Sequence, residues 1–237
     1  MIDQLLFAIE LVGVASFSIA GSIIAIDKEM DILGVILLAI TTAFGGGIFR
    51  DLILGRTPAF FVSMYLQVAI CVAVSIITFV LAAAFKRWFV REEEIVKRIN
   101  NYADALGLGV FAVTTVKLTI TICPDKGAFL PIMLGMIAAV GGGVVRDIFL
   151  DGVPSVFRKH VYALATLIGA IVYYVLERFV VPTSLLGEAI SSFVGISIVF
   201  VIRALAIHFR WNLPKAIRHE ALEQEIEKDG QSAKKEV

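Results

Sequence analysis

Net charge is absent from this 237-residue sequence, in which 21 lysines and arginines balance 21 aspartates and glutamates. The balance removes the ground for a nucleic-acid partner, because phosphate backbones are gripped by an excess of basic side chains. Cysteine is scarce as well. Cys71 and Cys123 lie in or at the end of apolar runs, where they read as small packing residues rather than a disulfide framework. The three histidines, His160, His208 and His219, sit near span ends or in the tail without paired ligands. No metal site, nucleophile motif or catalytic constellation is assembled, so the chain does not read as an enzyme and calls for no cofactor. The opening Met1-Ile2-Asp3-Gln4 enters an apolar run with no basic segment and no small-residue cleavage site, which is unlike a cleaved signal peptide.

What the chain has instead is apolar length. It is 59% hydrophobic with a mean hydropathy of +0.90, above the roughly 45–50% apolar usage of soluble domains. Seven runs read as membrane spans, the sixth of them at the short end of the range. The first covers Leu5 to Ile26, and the second starts at Ile32 and continues past Arg50 and Asp51 to Gly55. The third covers Phe60 to Phe85, the fourth Ala103 to Cys123 and the fifth Gly127 to Phe149. The sixth covers Val161 to Leu176 and the seventh Leu185 to Ile207.

A shift of 96 residues superposes one half on the other without a gap. Gly13 falls on Gly109, Gly45-Gly46-Gly47 on Gly141-Gly142-Gly143, Arg50-Asp51 on Arg146-Asp147, Leu54 on Leu150, Pro58 on Pro154 and Phe61 on Phe157. Each unit holds three spans, and an odd number makes the two units enter the membrane from opposite sides, an inverted-topology repeat. The expected plan is a first three-helix unit over 1–85, an amphipathic cytoplasmic connector over 86–102 and an inverted second unit over 103–178. A seventh helix over 185–207, on the outside or at oligomer contacts, and a charged cytoplasmic tail over 208–237 complete it. With the amino terminus outside, inner segments carry 14 lysines and arginines against 3 in outer loops. The lysine and arginine bias therefore puts the carboxyl terminus in the cytoplasm of a multi-pass cell-membrane protein.

The glycine triplets are where chemistry concentrates. Three glycines surrender helix propensity and packing, and an arginine-aspartate pair nearby is costly at membrane depth. The pattern predicts a break in the second and fifth helices that frees carbonyls and amides near the midplane, where transport proteins place ion sites. A plainer reading is that the glycines allow two helices to cross closely. Arg50 and Asp51 point about 100° apart on a helix, so partners on other helices are expected rather than each other. Arg50 with Asp51 would charge the outer half of a pathway and Arg146 with Asp147 the inner half. Lys117 follows Thr114 and Thr115 in the fourth span and has Gly21 as its repeat counterpart. It needs carbonyls, a carboxylate or water, and is expected either to reach the Gly45 break as a gate or to snorkel to an interface. Glu10, Asp104 and Glu188 lie near span ends, where capping or interfacial roles are usual.

With its seven spans, three-helix repeats and doubled Gly-Gly-Gly-x-x-Arg-Asp motif followed by Pro58 and Pro154, the sequence resembles the prokaryotic branch of the trimeric intracellular cation (TRIC) channel family, over about Leu5 to Ile207. The resemblance implies an all-α integral membrane protein that assembles as a homotrimer in membrane lipid, each protomer with its own pore for potassium or other monovalent cations. The pore would be lined by second and fifth helices kinked at Gly45, Gly46, Gly47, Gly141, Gly142 and Gly143. Lys117, Arg50, Asp51, Arg146 and Asp147 would be pore charges, with Thr114 and Thr115 as polar lining. Animal members carry Lys-Glu-Val after one glycine motif, and neither triplet here is followed by it. Some bacterial relatives are described as glycine transporters, so a carrier of a small amino acid is the alternative, and a membrane scaffold without transport is a third class. A carrier of zwitterions needs both charges at one midplane site, whereas a channel spreads its charges along a wetted axis.

Overall fold

The structure is a computed structural model describing residues 2–158, 161–180, 184–209 and 211. The charged tail beyond Trp211, His160 and His219 lie outside the described residues. Seven of its helices are long and apolar enough to cross a membrane. In chain order they are α1 (Ile2–Asp27), α2 (Ile32–Ile53), α4 (Tyr65–Ala84), α6 (Glu93–Ile122), α7 (Phe129–Phe149), α9 (Tyr162–Val175, prolonged by the π-helical turn Leu176–Val180) and α10 (Leu185–His208). Short helices α3 (Ala59–Val62), α5 (Lys86–Arg91) and α8 (Ser155–Arg158) connect them. The molecule is an all-α integral membrane protein of seven spans.

Local chemistry sets the ends. Asp31 caps α2, its carboxylate accepting from the Gly34 amide at 2.7 Å, and Ser184 does the same for α10 through the Gly187 amide at 3.1 Å, the usual work of N-cap oxygens. The chain leaves α2 through Gly55, whose φ of +68° suits glycine and few other residues. Pro58 then opens α3 in the first half, and the short helix α8 follows Pro154 in the second, displaced by the same 96 residues.

Three expectations change. The third span is not one helix from Phe60 to Phe85, because Ser63 and Met64 leave helical geometry between α3 and α4. The connector over 86–102 is one short helix followed by the beginning of α6, which runs unbroken from Glu93. At 1.5 Å per residue α6 is about 45 Å long, longer than a hydrocarbon core of about 30 Å. Its charged first turns, with Glu93, Glu94, Lys97 and Arg98, therefore extend beyond the lipid. Finally, α2 and α7 pass through their glycine triplets without interruption. The expected break is not there, and the carbonyls and amides it would have freed stay in the helical ladder. Three glycines cost about 1 kcal/mol each in helix propensity, whereas each unpaired backbone group in lipid costs several.

The core lies where α1 packs on α2, α4 and α6, and α7 on α2, α6 and α9. Phe17 of α1 stacks on Phe111 of α6 with centroids 5.2 Å apart. Glycines make room: side-chain atoms of Val110 occupy the space beside Gly13, and the Phe17 ring lies on Gly107. Cys71 is buried in this core. The seventh span packs on the second unit, along α6 and α9, and leaves Leu186, Phe193 and Val201 exposed.

Candidate functional site

At the centre α2 crosses α7, and the triplets are what let them meet. A methyl group on Gly46 would overlap the Ala138 carbonyl oxygen, and one on Gly142 the Thr42 carbonyl oxygen. Thr42 and Ala138 are themselves 96 residues apart, so the two contacts are one contact seen twice under the repeat. Cβ atoms on Gly45 and Gly141 would lie 3.3 Å and 3.0 Å from the Cα atoms of Gly142 and Gly46. Partners rise in number on one helix as they fall on the other, so the helices run antiparallel, as an inverted repeat requires. The third glycine does different work. A Cβ on Gly47 would have only Arg50 Nη2 near it, at 4.0 Å, and one on Gly143 would be 2.8 Å from the Tyr162 hydroxyl.

One and a half turns beyond each crossing stands an arginine-aspartate centre. The adjacent residues do pair, contrary to the expectation from their 100° offset: Arg50 Nε donates to Asp51 Oδ1 at 2.9 Å, and Arg146 Nε to Asp147 Oδ1 at 2.9 Å. The long arginine stem folds over the helix surface and spans the offset. Each aspartate's second oxygen accepts from the first amide of the next short helix, Ala59 at 2.8 Å and Ser155 at 2.6 Å. The carboxylate thus ties a span to the helix that follows and neutralises its arginine. Arg50 and Asp51 are only 3% and 2% exposed, so they are not snorkelled to water. With the centres on opposite sides of an antiparallel crossing, about 1.5 Å of rise per residue puts them about 18 Å apart along the axis.

The second centre is larger. Arg146 Nη1 approaches Asp104 Oδ1 at 3.5 Å, and the Tyr162 hydroxyl donates to the same oxygen at 3.1 Å. Arg203 Nη2 lies 3.8 Å from Asp104 Oδ2, and its guanidinium covers the Tyr162 ring at 4.7 Å. Asp104 is therefore a buried ion-pair partner rather than an interfacial residue. Tyr162 and Arg203 were not identified in the sequence. Intramembrane position was the available signal for Arg203, while nothing local marks Tyr162.

Lys117 does not reach the Gly45 region. It is paired with Glu177, from the π-helical turn, and with Glu188 of α10. Glu188 also accepts from the Tyr173 hydroxyl at 2.6 Å and from Ser192 at 3.3 Å. Expected as a span-end residue, Glu188 is buried, and it joins α6, α9 and α10 in one network. Thr114 and Thr115 are buried, and their hydroxyls have no hydrogen-bond partner.

Comparison with known proteins bears on both halves of this arrangement. The model of a family described as Glycine transporter matches residues 7–83 and 101–178, the two units of the repeat. The UPF0126 inner membrane protein YadS of Escherichia coli is 32% identical over 215 residues, covering 89% of this chain and 96% of its own. A solved TRIC cation channel is 34% identical, with a TM-score of 0.74, covering 90% of this chain and 97% of its own. The TRIC trimeric intracellular cation channel orthologue from Rhodobacter sphaeroides is 31% identical, with a TM-score of 0.75, covering 88% of this chain and the whole of its own.

Proposed function

We propose, because the chain belongs to the prokaryotic TRIC channel family, the family whose model is described as Glycine transporter, that it is a cation channel with potassium among its permeant ions. The observation that carries the reading is the placement of charge. Both arginine-aspartate centres stand away from the α2–α7 crossing, on opposite sides of it, and each arginine is already neutralised by its neighbour. That is the economy of a conducting axis, where buried positive charge must be cancelled before a cation passes. The permeation path runs along α2 and α7, and small displacements at their glycine contact open or close it. Thr114 and Thr115 carry hydroxyls that water or a partly hydrated cation would satisfy. Lys117 acts on gating from a distance, through α6 packed against α7, by fixing the outer ends of α9 and α10.

The assembly is a homotrimer with one path per protomer. The Rhodobacter sphaeroides relative, named as trimeric, supports this, as does the broad exposed apolar face of α4, with Leu66, Ile77, Val80 and Leu81, which needs lipid or a partner subunit. The amino terminus is outside and the carboxyl terminus cytoplasmic, on the lysine and arginine bias.

Glycine transport is the second reading, favoured by the description of the matched family. It asks for a carboxylate site and an ammonium site together near the midplane, where this chain brings glycine backbones into contact instead. Single-channel recording in planar bilayers under a potassium chloride gradient, with glycine uptake into liposomes run alongside, separates the two. Discrete steps reversing near the potassium potential are expected. Silent bilayers with saturable glycine uptake would replace the channel by a carrier.

A further inference from the structure

Where α1, α4 and α6 end on the same side of the bundle, α5 roofs a cleft of about 540 Å³. It is distinct from the α2–α7 crossing, and the permeation reading does not use it. Its walls are apolar, from Ile23, Phe79, Phe89 and Val96, and its rim is charged by Asp27, Glu29, Glu93, Lys86 and Lys97. Glu93 and Lys97 neutralise each other in an ion pair. Asp27, Glu29 and Lys86 make no ion-pair contact among the described residues, although Asp27 lies near enough to Lys97 to act on its charge. Asn100 also lines the cleft, and its Oδ1 is buried with no hydrogen-bond donor. Beside the cleft, α5 exposes Trp88, a residue type that settles at the lipid headgroup level.

We propose that this cleft binds a membrane phospholipid with an ethanolamine headgroup. Apolar walls at the end of the spans fit the upper part of acyl chains. The carboxylates of Glu29 and Asp27, neither in an ion-pair contact, suit an ammonium, and the ammonium of Lys86 suits the phosphate. The rim carries one more negative than positive charge, which disfavours glycerol and serine headgroups with a net negative charge. Choline offers no N–H group, whereas the ethanolamine ammonium donates, as Asn100 Oδ1 requires once its amide turns toward the cleft.

Native mass spectrometry of the full-length protein, offered equimolar phosphatidylethanolamine, phosphatidylcholine and phosphatidylglycerol of identical chains, tests this. Ethanolamine adducts are expected to exceed each of the others about tenfold, the scale of one hydrogen bond to a charged group. The double variant Asp27→Asn with Glu29→Gln should bring the ethanolamine and choline lipids to parity, and Asn100→Leu should reduce the preference. The oligomer mass in the same spectra reports whether each variant is folded. Glycerophosphoethanolamine, the headgroup without chains, should not displace the bound lipid. Equal retention of all three lipids, dominance of the glycerol lipid, or a preference that survives both variants would overturn the assignment. So would displacement by the bare headgroup, or higher retention on removing residues 212–237, which would make the tail the occupant.

Discussion

Replacing glycines within one triplet by alanine, one at a time, separates a crossing from a break. A Cβ on Gly46 meets the Ala138 carbonyl oxygen well inside contact distance, and backbone cannot swing away as a side-chain tip can. Such overpacking costs about 1–3 kcal/mol, partly offset by the gain of about 1 kcal/mol in helix propensity from glycine to alanine. At Gly47 the nearest atom is a guanidinium nitrogen 4.0 Å away, so only the propensity gain applies. Gly46→Ala and Gly47→Ala should therefore differ by about 1–3 kcal/mol in stability, in opposite directions from the parent. Thermal unfolding followed by a thiol-reactive dye reads this from Cys71, which is buried in the core, in a Cys123→Ser background. Bilayer currents should follow the same order, with Gly46→Ala impaired and Gly47→Ala preserved. If Gly47→Ala is as damaging as Gly46→Ala, the triplet acts by yielding the helix rather than by admitting its neighbour, and the crossing argument fails.

Asp51→Asn and Asp147→Asn should each leave an arginine uncancelled and lower cation current. Because the two centres lie on opposite sides of the crossing, the variants should rectify in opposite senses, and equal rectification in current–voltage curves would refute the placement. Lys117→Ala leaves Glu177 and Glu188 without their shared cation, a loss of about 1–3 kcal/mol for a part-buried charged network. It should lower the unfolding midpoint and alter gating while the oligomer persists, and Glu188→Gln added to it should recover part of the stability. Unchanged currents from Lys117→Ala would remove Lys117 from the mechanism. Cys123, half-buried in the loop after α6, should react with a membrane-impermeant maleimide in intact cells. Labelling only after permeabilisation would reverse the proposed orientation.

The spans and their repeat were legible because both are properties of the chain itself: apolar length and a 96-residue shift need no partner. The glycines were legible as the place where two helices meet, but their role was not. Propensity speaks only of the isolated helix, and whether Gly46 marks a break depends on the Ala138 carbonyl, a residue 92 positions away. Pairing between Arg50 and Asp51 was missed for a related reason. Helical offset describes where side chains leave the backbone, while a long stem decides where the charge arrives. The capping of α3 by Asp51 and of α8 by Asp147 had a sequence trace, the aspartate followed by proline seven residues later in both halves. Glu188 and Asp104 looked interfacial because each sits near a span end, but a neighbouring helix covers each of them.

The repeat is symmetric at the crossing and asymmetric around it. Thr42 and Ala138, Gly46 and Gly142, and the two aspartate caps answer one another across the pseudo-twofold relation. Asp104, Tyr162 and Lys117 have Ala8, Leu66 and Gly21 at the matching positions of the first half, and Arg203 belongs to the helix outside the repeat. Those unmatched residues are the ones that surround Arg146 or bind Glu188. Helix α10 therefore contributes to the second unit at both ends, through Glu188 at one and Arg203 at the other, and clamps α6 and α9 between them. Arg50 has Asp51 as its ion-pair contact, and the carboxylate of Glu10, from α1, lies near enough to act on both charges. A contact made by the same backbone chemistry from both sides is thus braced differently on each, by Asp104, Tyr162 and Arg203 around Arg146 of α7 and by Glu10 of α1 beside Arg50 and Asp51 of α2.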